Sequence, residues 1–165
     1  MNIRSKPRVV VLGTMSKMPV AGMVFITLQY VIGLKRLGFD VYYVEAHART
    51  PSMLMKDRHA DASALAAAFI AGMMRTFDLG DDHWAFHALH ADGHCHGLSQ
   101  EALYRLYDDA AFILNLHGGT VPRPEHYRRG RLVYVGTDPV EHEVDVHNGV
   151  RETIAYLEPH SAFFT

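Results

Sequence analysis

The stretch Arg8 to Gly13, RVVVLG, is apolar at four consecutive positions and closes on a glycine. Successive side chains of a strand point to opposite faces, so a strand with one wet face alternates apolar and polar residues. A strand that is apolar at every position needs cover on both sides. That is the signature of a parallel sheet with helices on both faces. The rest of the chain must then supply those helices and the crossovers between strands.

It does so in order. Thr14 to Ala21 reads as a loop containing Pro19, and Gly22 to Leu37 as a helix stopped by Gly38. Asp40 to Glu45, DVYYVE, is the second strand and completes a right-handed βαβ unit. A long loop, His47 to Asp61, leads into an alanine-rich helix from Ala62 to Phe77. Trp84 to Leu89 is a third strand, and His90 to Gly97 a glycine- and histidine-rich loop. Ser99 caps a helix over Gln100 to Asp109 that carries Ala102, Leu103 and Leu106 on one face. Ala111 to Leu116, AFILNL, is a fourth strand interrupted only by Asn115, and Leu132 to Val135 a fifth.

Asp138, Pro139 and Glu141 read as cap, first helical residue and third position of a last helix. That helix breaks near Asn148-Gly149, resumes to Leu157 and ends at Pro159. Ser161 to Thr165, SAFFT, is a sixth strand. The predicted fold class is α/β: a doubly wound, mostly parallel, Rossmann-like sheet with helices on both faces, one domain over residues 1–165.

Composition narrows the class of partner. The chain has 165 residues, 48% of them hydrophobic, enough for a proper core. Its 16 basic and 18 acidic side chains leave a formal net charge of -2, with no basic excess to hold nucleic acid. The run Val9 to Leu12 is too short for a secretory signal core. Met23 to Leu37 is interrupted by Thr27, Gln29, Lys35 and Arg36 and falls short of the roughly 20 apolar residues of a membrane span. Cys95 is the one cysteine, so no internal disulfide can form. These features predict a cytoplasmic protein without a membrane span.

Ligands of an open parallel sheet bind beyond the carboxyl ends of its strands. That rule selects Gly13 to Gly22, Glu45 to His47, His117 to Thr120 and Gly136 to Asp138. The first loop, GTMSKMPVAGM, opens a helix whose free N–H groups and dipole suit a phosphate. Met15, Ser16, Lys17 and Gly22 are its candidate binding residues. Neither GxGxxG nor a Gly-Lys-Ser/Thr phosphate loop is present, and Gly13 and Gly22 equally suit a turn and close packing. Glu45 stands where dinucleotide enzymes hold ribose hydroxyls, or is a solvated strand-end carboxylate.

The glycines of His117-Gly118-Gly119-Thr120 allow positive φ or close approach of backbone to a ligand. His117 is the candidate general base, or a hydrogen-bond partner for a sugar hydroxyl. The alternative is a tight turn with an incidental histidine. Asp138 adds a position at the cleft to its capping role. In HADGHCHG, His94, Cys95 and His96 are consecutive, which suits no common structural zinc spacing. No metal and no cofactor is predicted, and no Ser-His-Asp or HExxH arrangement can be read.

The segment Arg8 to Glu45 resembles the opening of GT-B-type glycosyltransferases: a first strand, a glycine-containing loop, an apolar helix, then GLKRLGFDVYYVE leading into strand two. NLHGG and RLVYVGTDPVEHEV are similar to glycosyltransferase-like proteins. The resemblance implies two Rossmann-like domains facing each other across a cleft. The N-terminal domain binds the acceptor and the C-terminal one holds most nucleotide-sugar contacts. It further implies that Met15 to Gly22 approach the donor diphosphate or acceptor, and that His117 to Thr120 line the acceptor side. Ala21-Gly22 stands where the family commonly has paired glycines.

The expected function is therefore the acceptor-side domain of an enzyme that moves a sugar from a nucleotide donor to a small-molecule acceptor. The donor-binding domain would lie outside this chain, and the stop at SAFFT suits a fragment. Such a domain is silent alone, because half the transition-state contacts are missing. The rival expectation is a self-contained module for a nucleotide or small anion. The helix Gly22 to Leu37 is apolar around most of its circumference, which calls for cover by neighbouring helices, a partner domain or another copy, and predicts that the isolated chain self-associates as a homo-oligomer through part of this helix or the terminal strand near Phe163 and Phe164.

Overall fold

A computed structural model describes residues 5–47, 62–138 and 140–165. Among them, seven strands form one sheet. They are β1 (Arg8–Leu12), β2 (Asp40–Glu45), β3 (Trp84–His87), β4 (Cys95–Gly97), β5 (Phe112–Leu116), β6 (Leu132–Val135) and β7 (Ala162–Phe164). Their spatial order is β4-β3-β2-β1-β5-β6-β7. Every neighbouring pair is parallel except β3–β4. The predicted α/β, mostly parallel, Rossmann-like sheet is therefore the fold of the chain.

Strand β1 behaves as its sequence requires. Val11 enters one apolar cluster and Val10 and Leu12 the other, and all three are buried. The first cluster takes Val24, Leu28 and Val31 of α1 (Ala21–Arg36), with Ala66, Ile70 and Met74 of α2 (Ser63–Thr76). The second takes Leu103, Leu106 and Tyr107 of α3 (Gln100–Asp109). Tyr127 of the short α4 (Pro124–Tyr127) packs against that second cluster. Helices thus cover both faces, and the winding direction changes between β1 and β5.

Local chemistry sets the helix ends. The Ser99 hydroxyl accepts the Ala102 N–H at 3.2 Å, a cap worth about 1 kcal/mol. Gly38, at φ 96°, closes α1 in the left-handed region that a side chain disfavours. The outer apolar positions of α1 are partly covered by its neighbour. Phe25 meets Phe77 edge-on at 6.2 Å, while Tyr30, Ile32 and Leu34 pack against the core.

Several expectations need correction. Part of the predicted loop His90 to Gly97 is an edge strand: His96 pairs with Phe86 and Cys95 with His87, antiparallel. The sheet therefore has a strand more than expected. Three residues offer too little periodicity to read. Helix α4 was also not foreseen. The last helix is two short ones, α5 (Glu141–His147) and α6 (Arg151–Leu157), divided at Gly149 with φ 70°. Asp138 does not cap α5. Val140 is the N-cap, and its N–H donates to the Glu143 carboxylate at 3.0 Å. Glu143, not Glu141, reaches back in this way, so the helix starts later than the Asp-Pro pair suggested. Pro139 and most of the loop His47 to Asp61 lie outside the described residues. No helix among the described residues is long and apolar enough to cross a membrane.

Candidate functional site

The chain leaves β1 toward β2 and leaves β5 toward β6, so the loops after these two neighbouring strands part from each other. This is the switch point at which open α/β sheets bind ligands. The loop after β1 is tied down firmly. Gly13 donates its N–H to the Val44 carbonyl at 3.0 Å. A side chain at Gly13 would sit 2.7 Å from the Tyr43 ring, so close packing explains that glycine. Gly22 is different: a Cβ there would meet nothing within 4 Å. It is exposed in the first turn of α1 and has no packing reason to be glycine.

Glu45 is the anchor of this loop. It is fully buried, not a solvated strand-end carboxylate. One oxygen accepts the Ser16 N–H at 2.7 Å and the Tyr43 hydroxyl at 2.7 Å. The other faces the Ser16 hydroxyl, and His47 Nε2 at 3.0 Å. The Tyr43 oxygen in turn accepts the Met15 N–H at 3.0 Å. Burial and the adjacent carboxylate push the Tyr43 phenol well above its ordinary pKa, so it stays a donor. Met15, Ser16 and Glu45 are all inaccessible at 0% exposure, and they hold the loop instead of facing solvent. Lys17 is half-buried, and Met18 is exposed.

The loop after β5 has its own anchor, Asn115, buried on the same strand end. Its carbonyl accepts the Thr120 N–H at 3.1 Å and its amide donates to the Thr120 carbonyl at 2.9 Å. The same amide nitrogen lies 3.1 Å from His160 Nε2 and 3.1 Å from the Tyr156 hydroxyl. Tyr156 donates to the Gly118 carbonyl at 2.6 Å. The loop between is forced tight, with His117 at φ 61° and Gly118 at φ 57°. A Cβ at Gly118 would lie 2.8 Å from the Tyr134 ring, and one at Gly119 2.7 Å from the Thr14 methyl. The two switch-point loops therefore touch through Gly119 and Thr14. The Thr120 hydroxyl is buried without a hydrogen-bond partner.

His117 lies between these loops and α1. Its Nε2 is 3.4 Å from the Thr27 hydroxyl, which spends its own proton on the Met23 carbonyl at 2.8 Å. Nε2 is accordingly the protonated nitrogen, and Nδ1 accepts from the Thr137 hydroxyl at 2.7 Å. Burial lowers the His117 pKa, opposed by the charge of Asp138. That opposition places Asp138, exposed after β6, within electrostatic reach of the imidazole.

The N-terminus of α1 completes the arrangement. Its N-cap is Val20, no side chain caps it, and no acidic residue lies in its first turn. Among the described residues neither a capping side chain nor a first-turn carboxylate offsets the positive end of the dipole, and His117 meets the helix one turn further on, at Thr27. The structure thus brings His117, Gly118 and Gly119 together with Thr14, Thr27 and Thr137, with Asp138 in electrostatic reach and Gly22 exposed in the first turn of α1. Met15, Ser16, Glu45 and Thr120 are buried. Thr27, Thr137, Tyr43 and Asn115 were not singled out from sequence. Asn115 carried a readable signal, as the single polar residue in an apolar strand. Among the described residues no group of His, Cys, Asp and Glu side chains is placed to hold a metal ion.

No family model matches the chain, and neither a curated protein nor a solved structure matches it.

Proposed function

We propose that this chain is the acceptor-side domain of a GT-B-type glycosyltransferase, with the crevice between the β1 and β5 loops as its ligand site. The observation that carries this reading is the uncapped N-terminus of the 16-residue α1, which follows the β1 loop at the switch point, with His117 3.4 Å from Thr27 in the second turn of the same helix. Backbone N–H groups at a helix start bind anions without any side-chain motif, which accommodates the absence of a dinucleotide fingerprint. In this reading Ala21, Gly22 and Met23 offer N–H groups to a phosphate, and Gly22 leaves the approach unobstructed. Lys17 adds positive charge at the rim. Gly118 and Gly119 keep the opposite wall close.

His117 donates from Nε2 to Thr27, so it becomes a base toward a substrate hydroxyl only through Nδ1, with Thr137 turned away. Asp138 then stabilises the imidazolium that forms. Ser16 and Glu45 hold the first loop in place and contact no substrate. A GT-B enzyme closes its cleft with a second domain that supplies most donor contacts, so this domain alone binds without turnover.

Amide NMR on the 165-residue chain tests the reading. Uridine or guanosine diphosphate at millimolar concentration is expected to shift Ala21, Gly22, Met23 and the amides of 117–119. Sulfate is expected to shift the α1 amides alone. Perturbations confined to other loops, or none, would overturn the site. Equal binding of sulfate and nucleotide would leave only a general anion module.

A further inference from the structure

The sheet ends at β7, and the two helices before it leave a groove against that strand. Two adjoining cavities of about 220 and 420 Å³ share Val146, Leu157 and Phe163 as walls. Tyr134 and His142 form the floor of the smaller one, bonded to each other at 2.6 Å, and Ile154 borders the larger. The lining is apolar and open to solvent. Val146 is 45% exposed, Ile154 41% and Phe163 51%. Neither α5 nor α6 buries a single residue fully, whereas every helix of the two core clusters does. Contiguous apolar surface of this kind marks a binding face.

The charges around the groove select its occupant. Residues 140–165 carry Glu141, Glu143, Asp145, Glu152 and Glu158 against Arg151, while the whole chain has a net charge of only -2. Glu143 lines the smaller cavity and Glu158 the larger. A second copy docked here by a two-fold axis would set the same carboxylates against one another, which is repulsive. An amphipathic helix with a basic margin satisfies both features: its apolar stripe fills the groove, and its Lys or Arg side chains meet Glu143 and Glu158. We infer that the α5–α6–β7 groove is a docking site for a basic amphipathic helix of a partner protein.

Fluorescence anisotropy with two synthetic helices tests this on the 165-residue chain. Both carry the same leucine stripe, one with lysine margins and the other with glutamate margins. The lysine peptide is expected to bind at least about tenfold more tightly at low salt, the equivalent of about 1.4 kcal/mol. The preference should shrink as salt is raised. Ile154→Lys and Glu158→Lys, both at exposed positions, should each weaken the lysine peptide while leaving the circular dichroism unchanged. Leu37→Lys, an exposed position that lines neither cavity, should have no effect. Equal binding of the two peptides, indifference to Ile154→Lys, or no binding would overturn the inference. So would concentration-dependent self-association that Ile154→Lys abolishes, because the groove would then be covered by a second copy.

Discussion

Replacing Glu45 by glutamine keeps the shape of the side chain and removes its charge. In the native chain the two carboxylate oxygens receive four contacts, from the Ser16 N–H, the Ser16 hydroxyl, the Tyr43 hydroxyl and His47 Nε2. The amide keeps one oxygen, so the Ser16 N–H and the Tyr43 hydroxyl can still donate, now to a neutral acceptor. The other oxygen becomes NH₂, which faces two groups that had been directed at an acceptor. Hydrogen bonds to a charged group contribute about 1.5–3 kcal/mol and neutral ones about 0.5–1.5 kcal/mol. Weakening two bonds and disrupting two more therefore costs roughly 2–4 kcal/mol. Glu45 is 0% exposed, so water cannot compensate.

Urea unfolding followed by circular dichroism measures this directly. The midpoint should fall with the slope unchanged, and Tm should drop by on the order of 5–10 °C. Ser16→Ala removes the hydroxyl contact alone and costs about 1 kcal/mol. The double variant should lose less than the sum of the two, since the sites share a bond. A loss under about 0.5 kcal/mol for Glu45→Gln, or strict additivity with Ser16→Ala, would refute the view that this carboxylate anchors the β1 loop.

Two further outcomes follow from the same packing. Gly118→Ala sets a Cβ 2.8 Å from the Tyr134 ring at a φ of 57°, so it should destabilise by roughly 1–3 kcal/mol; an unchanged unfolding midpoint would show that Tyr134 can move aside. His126, 1% exposed, has its pKa pushed by burial to about 4. The unfolded chain therefore takes up a proton that the folded chain refuses, and stability falls as pH drops from about 6.5 toward 4, by on the order of 3 kcal/mol. His126→Phe cannot titrate and should flatten this part of the pH–stability curve; equal slopes in the two proteins would refute the assignment.

Much of the fold was legible because the strands in the middle of the sheet are covered on both sides. RVVVL, DVYYV, FIL and LVYV admit no other reading once two-sided burial is required. One edge strand was not legible, for a physical reason. β4 has a partner on one side only and contains three residues, too few for a period to emerge, whereas β7, equally short, lies within the strand read at Ser161 to Thr165. The start of α5 was misplaced because Asp138-Pro139 and Val140-Glu143 both offer capping chemistry, and only the path of the chain out of β6 decides between them. The apolar circumference of α1 finds much of its cover in neighbouring elements of the same fold. Much of it packs against α2 and the sheet, across a sequence distance that periodicity does not report.

For the candidate residues, position along the strands was legible in the sequence and burial was not. Strand-end position was enough to select Glu45, His117 and the two glycines, because topology alone puts ligands at the carboxyl edge. It could not say which polar side chains point inward. Glu45 is the last residue of β2 and Asn115 the last but one of β5, and each closes a loop by bonding two of its backbone or hydroxyl groups. A buried polar group without such partners would be costly, so the one polar residue in an apolar strand is better read as a loop clamp than as a substrate ligand. By the same logic the groups free to meet a ligand are those whose burial is incomplete and whose partners are exchangeable. Under the proposed function those are His117 with its Thr137 partner, Lys17, Asp138 and the first N–H groups of α1.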